Sequence, residues 1–427
     1  MTGLSRRCFM GGAFGFAAVP PLLAGAKPAG DGAKPPARIL PRWRKGEFQI
    51  HFIHTGVGES QFLIFPDGTT MLLDCPGNPA VNMGRVGVPI LPSAKLHAGE
   101  WIARYVKRVS PGKADVDYMA ISHFHQDHGG GVSYHKGVTK WRGGEYYRSG
   151  FALASEQLKF KKAIDRTGPT FDDFMKDYSK PGATMRNLEQ LYRHLMERDG
   201  LVLEKFRLGA TDQVVPLHGM CDGFSVQNIC GNGFVAKPDG GILDMFNGNY
   251  ETLKKELGFE NRLSVGYIFR YGAFSYGTFG DFNGRASDGR HIEKTAAPFM
   301  PHVTVAKMNH HGNGASHPRE WVRALSPKVW VSCVWSQAHS EPGTLTKLTD
   351  ETAYPGERLI CPTVFPASRR CKAILRKLPW LDKIEPSAFQ GGHVVVTVPP
   401  GGKTFKIAYV DAGDEKMSVM SEREMAT

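Results

Sequence analysis

Short apolar stretches separated by turns follow one another along the chain from about residue 47. FQIHFIHTG (48–56) and SQFLIFPDGTTMLLDC (60–75) alternate or run apolar, as half-buried and buried strands do, and Pro66-Asp67-Gly68 supplies a turn. VDYMAIS (116–122) predicts a further buried strand, and residues 98–109 have a helical pattern. We therefore expect mostly β-structure interrupted by single helices in the first part of the chain.

The same alternation continues towards the C-terminus. MRNLEQLYRHLMERDG (185–200) has apolar residues at helical spacing and ends at a glycine, and a second helix is predicted near 318–325. Further strands are predicted at 201–206, 213–217 and 223–230, as a hairpin over 262–281, at 302–312, and in KVWVSCV, GGHVVVTV and TFKIAYVDA. Strand-rich blocks with polar residues at the strand ends predict an α/β fold of two sheets flanked by helices.

The first residues predict export rather than a fold element. Ser5-Arg6-Arg7-Cys8-Phe9-Met10 precedes a short Gly/Ala-rich apolar run and the small-x-small pattern Ala24-Gly25-Ala26. The paired arginines resemble a twin-arginine export signal. We expect a periplasmic or otherwise exported protein that meets the twin-arginine translocon and has no membrane span in its mature form. The expected divisions are a signal peptide (1–26), a linker (27–46), a main domain (47–412) with an irregular or helical insertion at about 132–185, and a C-terminal tail (413–427).

Composition fits a folded, soluble protein. Apolar residues make up 41% and charged residues 22% of the chain, which excludes disordered and fibrous classes. The formal charge of +12 favours acidic partners such as phosphates, nucleic acid or an anionic membrane surface. A solvated basic surface is the alternative, and no Lys/Arg run is long enough to decide. Six of the seven cysteines lie after the predicted signal, so disulfides and buried thiols both remain open.

The stretch SHFHQDHGGG (122–131) carries the strongest chemical pattern. His123 and His125 alternate, so that in an extended segment both point to one side, and Asp127 and His128 follow at once. Imidazole and carboxylate groups are ligands for zinc and related ions. A solvated histidine-rich loop is the alternative, but four ligand-type residues in six positions, between a buried strand and three glycines, favour a metal site.

HxHxDHGG at a strand end resembles the metallo-β-lactamase superfamily, whose members are αββα sandwiches that hold one or two metals. LLDCPG resembles the first motif of that family and assigns Asp74 to the position that orients ligands. YGTFGDFNG assigns Asp281 to the metal-bridging position, and MNHHGNGAS assigns His311 to the late histidine ligand. The resemblance therefore implies a four-layer αββα fold.

A narrower resemblance is to competence-type DNA-uptake hydrolase domains and phosphorylcholine esterases, over about residues 48–412. The sequence departs from the usual pattern of that branch at two positions. His54 stands where the branch has an aspartate before the turn, and the acid after the turn is Glu59. Most of the superfamily carries a further histidine ligand where this chain has VQNICGNGF (226–234), and His218 nearby is interpreted as structural. The branch resembled also lacks that ligand.

By this resemblance one metal takes His123, His125 and Asp281, and the other takes Asp127, His128, Asp281 and His311. Two zinc ions are expected; a single ion, Mn²⁺ or Fe²⁺ are the alternatives. The resemblance also places His317 and His339 near the rim of the site.

The predicted catalytic residues are Asp127, Asp74 and His310. A metal-bound hydroxide would attack a phosphoryl or carbonyl centre, and Asp74 would orient a ligand or the water. His310 would contact the leaving group or a phosphate oxygen, with a structural histidine as the alternative. The predicted function is an exported metal-dependent hydrolase of phosphoesters. The alternatives are a lactone or β-lactam hydrolase, and a periplasmic binding protein for nucleic acid or envelope components with a relict site.

Overall fold

Two large β-sheets face each other in the computed structural model, which describes residues 38–77, 87–112, 114–131, 139–142, 146–171, 179–248, 259–284 and 291–427. The strands of these ranges are β1 (Phe48–Phe52), β2 (Gln61–Ile64), β3 (Thr70–Leu73), β4 (Asp115–Ala120), β5 (Lys159–Asp165), β6 (Val202–Lys205), β7 (Phe224–Gly231), β8 (Phe234–Ala236), β9 (Ile242–Asp244), β10 (Gly266–Tyr271), β11 (Phe274–Thr278), β12 (Val305–Lys307), β13 (Val329–Ser332), β14 (Leu359–Pro362), β15 (His393–Val398), β16 (Thr404–Val410) and β17 (Val419–Ala426). The helices are α1 (Ala98–Val109), α2 (Gln126–Gly129), α3 (Phe151–Ala154), α4 (Ser179–Asp199), α5 (Phe259–Arg262), α6 (Ile292–Ala296), α7 (Arg319–Leu325), α8 (Pro342–Leu348) and α9 (Ala367–Leu375).

The first sheet has the order β17-β16-β15-β1-β2-β3-β4-β5-β6, and the second has the order β14-β13-β12-β11-β10-β7-β8-β9. Strands β3 to β6 are parallel neighbours, and so are β11 to β14. Parallel neighbours end at the same edge of a sheet. Residues that directly follow β3 and β4, or β11 and β12, are therefore brought close together although they are far apart in sequence.

Alternating side chains of the strands form the core between the sheets. In β1, Phe48, Ile50 and Phe52 point towards the second sheet, and the Phe48 ring contacts those of Phe224 and Phe269 at 5.2 and 6.0 Å between centroids. The opposite face of the first sheet packs on α1 and α4, and α7 and α8 cover the second sheet. The predicted four-layer αββα arrangement is confirmed.

Two of the expected boundaries are wrong. The expected insertion at about 132–185 contains β5, which pairs in parallel with β4 and β6, so part of it belongs to the sheet. The expected C-terminal tail contains β17, which pairs antiparallel with β16 and forms the sheet edge. Long-range strand pairing is invisible in a local pattern. The proposed signal peptide and residues 27–37 of the proposed linker lie outside the described residues.

The predicted strand at 213–217 is also wrong. This segment instead lies against the β2–β3 turn, where the Leu217 N–H donates to Thr69 Oγ1 and the His218 N–H donates to Asp67 Oδ2. Side-chain acceptors thus satisfy backbone groups that a strand would have paired.

The helix at 98–109 and the hairpin β10–β11 are confirmed. The six cysteines that follow the proposed signal are all free thiols. Among the described helices, none has the length and apolar character needed to cross a bilayer.

Candidate metal centre

Four strand ends supply the predicted site residues. Asp74 directly follows β3, residues 122–128 follow β4, Asp281 follows β11, and His310 and His311 follow β12. The short helix α2 turns the chain after His125 so that Asp127 and His128 point back to the same place. The structure therefore brings together all the residues predicted as ligands.

The first group of potential ligands consists of His123, His125 and Asp281. His123 Nε2 lies 3.0 Å from His125 Nδ1 and 3.8 Å from Asp281 Oδ2. His123 and Asp281 are buried and His125 is partly buried. One nitrogen or oxygen from each residue lies within 4.8 Å of the others, a spacing that a single metal ion could bridge.

The second group lies on the other side of Asp281. His128 Nε2 lies 3.3 Å from Asp281 Oδ1, and His311 Nε2 lies 3.6 Å from Asp281 Oδ2. Asp127 Oδ2 is 3.2 Å from His311 Nε2 and 3.8 Å from His128 Nε2. Two imidazole nitrogens and two carboxylates thus converge, and Asp281 is common to both groups.

Glu59 also lies near the second group, but it faces the back of His311. It is 3.6 Å from His311 Nδ1, the nitrogen that already donates to the Cys333 carbonyl at 2.9 Å. The Glu59 carboxylate is 2.6 Å from the buried ammonium of Lys307, which also donates to the Gly280 carbonyl. We therefore assign Glu59 to an ion pair with Lys307 and Asp127 to the ligand position. The local sequence gave no sign of Lys307.

Two polar atoms at the centre lack hydrogen bonds within the described part of the chain. His128 Nε2 and Asp281 Oδ1 are buried, and the 3.3 Å between them is not aligned for a hydrogen bond. In folded proteins generally, most buried polar atoms are paired, because an unpaired one costs about 1–3 kcal/mol. The Asp281 oxygen can bind a divalent cation directly, and His128 Nε2 can do so when the cation displaces its proton, so the residues present fit a bound metal.

Asp74 holds His128 from behind. Its carboxylate accepts from the His128 Nδ1–H at 2.8 Å and from the backbone N–H and hydroxyl of Ser122 at 2.6 and 2.7 Å. The proton on Nδ1 leaves the lone pair of Nε2 directed at the centre, which is the usual arrangement behind a metal-binding histidine. Asp74 therefore fixes the orientation of the His128 ring and lies outside the two groups of potential ligands. Ser122 was not predicted.

Burial and the neighbouring charges set the protonation of these groups. Burial lowers the pKa of His123 well below its usual value and that of His125 to about 4, so both rings are neutral at pH 7. Burial opposes ionisation of Asp281 as well, but His128 and His311 outweigh it and hold its pKa well below the usual range. Burial likewise disfavours charge on His128, but Asp281, Asp74 and Asp127 outweigh it and raise the pKa of this ring well above its usual value, so a bound cation would take the place of its second ring proton. Neutral imidazoles and ionised carboxylates are the forms that bind metals.

His310 lies beside the ligand groups with 27% of its side chain exposed. Its Nδ1 accepts from the Asn283 amide at 2.8 Å, so the ring proton sits on Nε2, which is 3.7 Å from Asp281 Oδ2. His310 and His311 both have positive φ, 48° and 54°, a conformation that is uncommon for non-glycine residues and recurs at functional sites. His310 is thus placed as a hydrogen-bond donor at the edge of the centre.

Of the two rim histidines expected from the resemblance, only His339 touches the centre. Its ring stacks on that of His311 with centroids 4.9 Å apart and an interplanar angle of 15°. His317 is fully buried, and its Nε2 accepts from the Asn309 backbone N–H at 3.2 Å, so it supports the 309–312 turn. His218 pairs with Asp117 at 3.1 Å in the first sheet, which agrees with a structural role.

The comparisons with known proteins are distant. No protein-family model matches the chain. A curated relative, cleavage and polyadenylation specificity factor subunit 3 of Dictyostelium discoideum, is 27% identical over 159 residues, which are 36% of this chain and 18% of the relative.

Two solved structures are similar to parts of the chain. Zn²⁺-bound PqqB from Methylobacterium extorquens is 11% identical, covers 62% of this chain and 72% of its own, and has a TM-score of 0.28. Tm1679, described as a metal-dependent hydrolase of the β-lactamase superfamily, is 14% identical, covers 74% of this chain and 96% of its own, and has a TM-score of 0.30.

Proposed function

We propose that the protein is a metal-dependent hydrolase with two metal sites that share Asp281. His123 and His125 would complete one site, and Asp127, His128 and His311 the other. The observation that carries the proposal is the pair of unpaired buried atoms, His128 Nε2 and Asp281 Oδ1, at the junction of the two ligand groups. Zinc is the metal we expect, because histidine nitrogens and carboxylates dominate the ligand set.

When bound, the metals supply an activated water molecule and positive charge for the developing oxyanion. The protein's own residues set the geometry. Asp74 fixes the ring orientation of His128 and keeps its proton on Nδ1. His310 presents its Nε2–H towards Asp281 at the edge of the centre, where it would donate to a leaving-group oxygen or a non-bridging oxygen of the substrate. Lys307 balances the buried carboxylates of Glu59 and Asp281.

We propose phosphoesters as the substrate class. The formal charge of +12 and the resemblance of the sequence to phosphoester-cleaving branches support this choice, and the donor on His310 suits a phosphate oxygen. Lactone and β-lactam hydrolysis is the second candidate. It is less favoured because β-lactamases of this fold normally use a histidine ligand in the strand that corresponds to β7, and β7 contains no histidine. A relict site in a binding protein is less consistent with a cluster that keeps all of its ligand-type residues: His123, His128, Asp281 and His311 are buried, and His125 and Asp127 are partly buried.

The test combines metal analysis with an activity panel. Metal-loaded protein is expected to hold about two ions per chain and to hydrolyse phosphodiesters or phosphorylcholine esters faster than lactones or β-lactams. Less than one ion per chain, together with no hydrolysis of any substrate in the panel, would reject the hydrolase proposal. Faster cleavage of lactones or β-lactams would reject the phosphoester class alone.

We also propose export by the twin-arginine pathway, from the Arg6-Arg7 motif. Residues 1–26 fused to a reporter protein that folds in the cytoplasm should carry it to the periplasm. Replacement of both arginines by lysine should stop that export. Continued export of the lysine variant would contradict the proposal.

A further inference from the structure

Helix α9 (Ala367–Leu375) has an unusual distribution of side chains. Ala373 is its buried residue and Arg369 is partly buried, which defines the side that packs on the protein. Cys371, Ile374 and Leu375, spaced three and four residues apart, lie on the opposite side. Ile374 is 53% exposed and Leu375 is 83% exposed. A surface helix normally presents polar residues on its outer side.

Cations flank this apolar strip. Arg370 and Lys372 border it along the helix, and Arg376 and Lys377 follow directly after the last turn; all four are exposed, and the Arg370 guanidinium lies over the Phe389 ring, 4.0 Å from its centroid. Between residues 358 and 381 the sequence contains no aspartate or glutamate. We call this surface the α9 face: Cys371, Ile374 and Leu375, with Arg370, Lys372, Arg376 and Lys377.

We propose that the α9 face binds anionic phospholipid bilayers. An apolar strip bordered by Lys and Arg is the arrangement of helices that lie in a membrane interface, with aliphatic groups in the acyl boundary and cations at the headgroups. Long basic side chains can extend from beside the strip to reach the phosphates. Nucleic acid would complement the charge but would leave Ile374 and Leu375 exposed to water, and it is therefore the less suitable partner.

The packed side of α9, opposite the α9 face, contacts a loop that borders the metal centre. Arg369 Nε donates to the Gln337 carbonyl at 3.1 Å, and Ser368 Oγ donates to Gln337 Oε1 at 3.3 Å. Two residues further on, His339 stacks on His311. The binding inference stands by itself and does not require the proposed hydrolysis.

The experiment is vesicle co-sedimentation of the full chain with phosphatidylcholine alone and with a phosphatidylcholine–phosphatidylglycerol mixture. Binding to the anionic vesicles is expected, and it should weaken as salt is raised. Arg376→Gln with Lys377→Gln should weaken it by roughly 25-fold, because each cation near an anionic surface contributes about fivefold. Ile374→Ser with Leu375→Ser should weaken it by about tenfold or more.

The matched control is Lys205→Gln with Lys403→Gln, which removes the same charge from exposed positions outside α9 and should retain binding. All variants share residues 1–37, so any contribution of that segment is constant. Equal binding by the charge variant and the control would overturn the proposal.

Two further results would also overturn the proposal. One is a pair of results: the protein binds duplex DNA tightly and the charge variant binds it more weakly, while the serine variant binds vesicles as well as the natural protein does. The other is a dimer that forms without vesicles and is lost in the serine variant, because the α9 face would then contact a second copy.

Discussion

His128 Nδ1 lies 2.8 Å from Asp74 Oδ2, and the opposite nitrogen of the same ring lies 3.3 Å from Asp281 Oδ1. The ring therefore connects the end of β3 with the end of β11, two strands of different sheets. One nitrogen is committed to an orienting hydrogen bond, and the other is free for a metal. The first prediction tests this division.

Asp74→Asn is expected to weaken metal binding about 10–100-fold, because the neutral amide no longer fixes the Nδ1 tautomer of His128. Metal content during competition with a chelator measures the effect. Asp117→Asn is the matched control, since Asp117 is also a buried aspartate that pairs with a histidine, His218, away from the centre. Equal metal affinity in the two variants would show that Asp74 does not orient a ligand.

Asp281→Ala should abolish metal content and turnover together, because Asp281 belongs to both ligand groups. Asp212→Ala, at an exposed ion pair, should change neither. Metal analysis and a phosphodiesterase assay on the same preparations give both values. Turnover that survives the loss of Asp281 would show that this carboxylate is not the bridge.

His310→Gln should lower kcat by about 100-fold or more, the range of a lost proton donor, while metal content stays unchanged. His339→Gln is the comparison, because His339 touches His311 by stacking and not through a proton facing Asp281. Loss of metal in His310→Gln would make His310 a ligand. An unchanged kcat would make it structural.

Lys307→Met should destabilise the fold by about 3–5 kcal/mol, because it leaves the fully buried Glu59 carboxylate without its cation. The double variant Glu59→Gln/Lys307→Met should recover part of that loss. Urea unfolding of the natural protein, Glu59→Gln, Lys307→Met and the double variant measures the coupling free energy between the two side chains. Additive effects of the two single changes would contradict the buried ion pair.

We expect the free energy of unfolding to fall in acid because of His51, a fully buried histidine. Burial lowers the pKa of this imidazole from 6.5 to about 3, so the folded state resists a proton that the unfolded state accepts. The contribution of His51 to the free energy of unfolding is therefore fully present above pH 6.5. It is lost as the pH falls towards 3, by at most about 1.4 kcal/mol per pH unit. Both ring nitrogens are hydrogen-bonded, to Tyr105 and Gln49.

The measurement is the free energy of unfolding at pH 7 and pH 5 for the natural protein, His51→Gln and His302→Gln. The advantage of the natural protein over His51→Gln should shrink at pH 5. His302→Gln is the control, because it removes an imidazole from an exposed position. Parallel pH profiles for the natural protein and His51→Gln would show that His51 does not titrate as its burial predicts.

The sequence by itself determined the parts of the protein that depend on neighbouring residues. The strand before SHFHQDHGGG, the helix at 98–109 and the β10–β11 hairpin follow from local apolar periodicity and turn chemistry. The ligand-type residues at 123–128 were visible because they are close in the chain. Asp74, Asp281 and His311 were found through a resemblance of short motifs, because no local pattern links them.

The tertiary structure decided everything that depends on contacts between distant segments. The pairing of β5 with β4 and of β17 with β16 turned an expected insertion and an expected tail into parts of a sheet. The ion pair between Glu59 and Lys307 joins residues far apart in the chain. The apolar strip of α9 could not be recognised as exposed before the buried side of that helix was known. Burial and charge pairing are properties of the folded chain, because only folding determines which side chains lose their water.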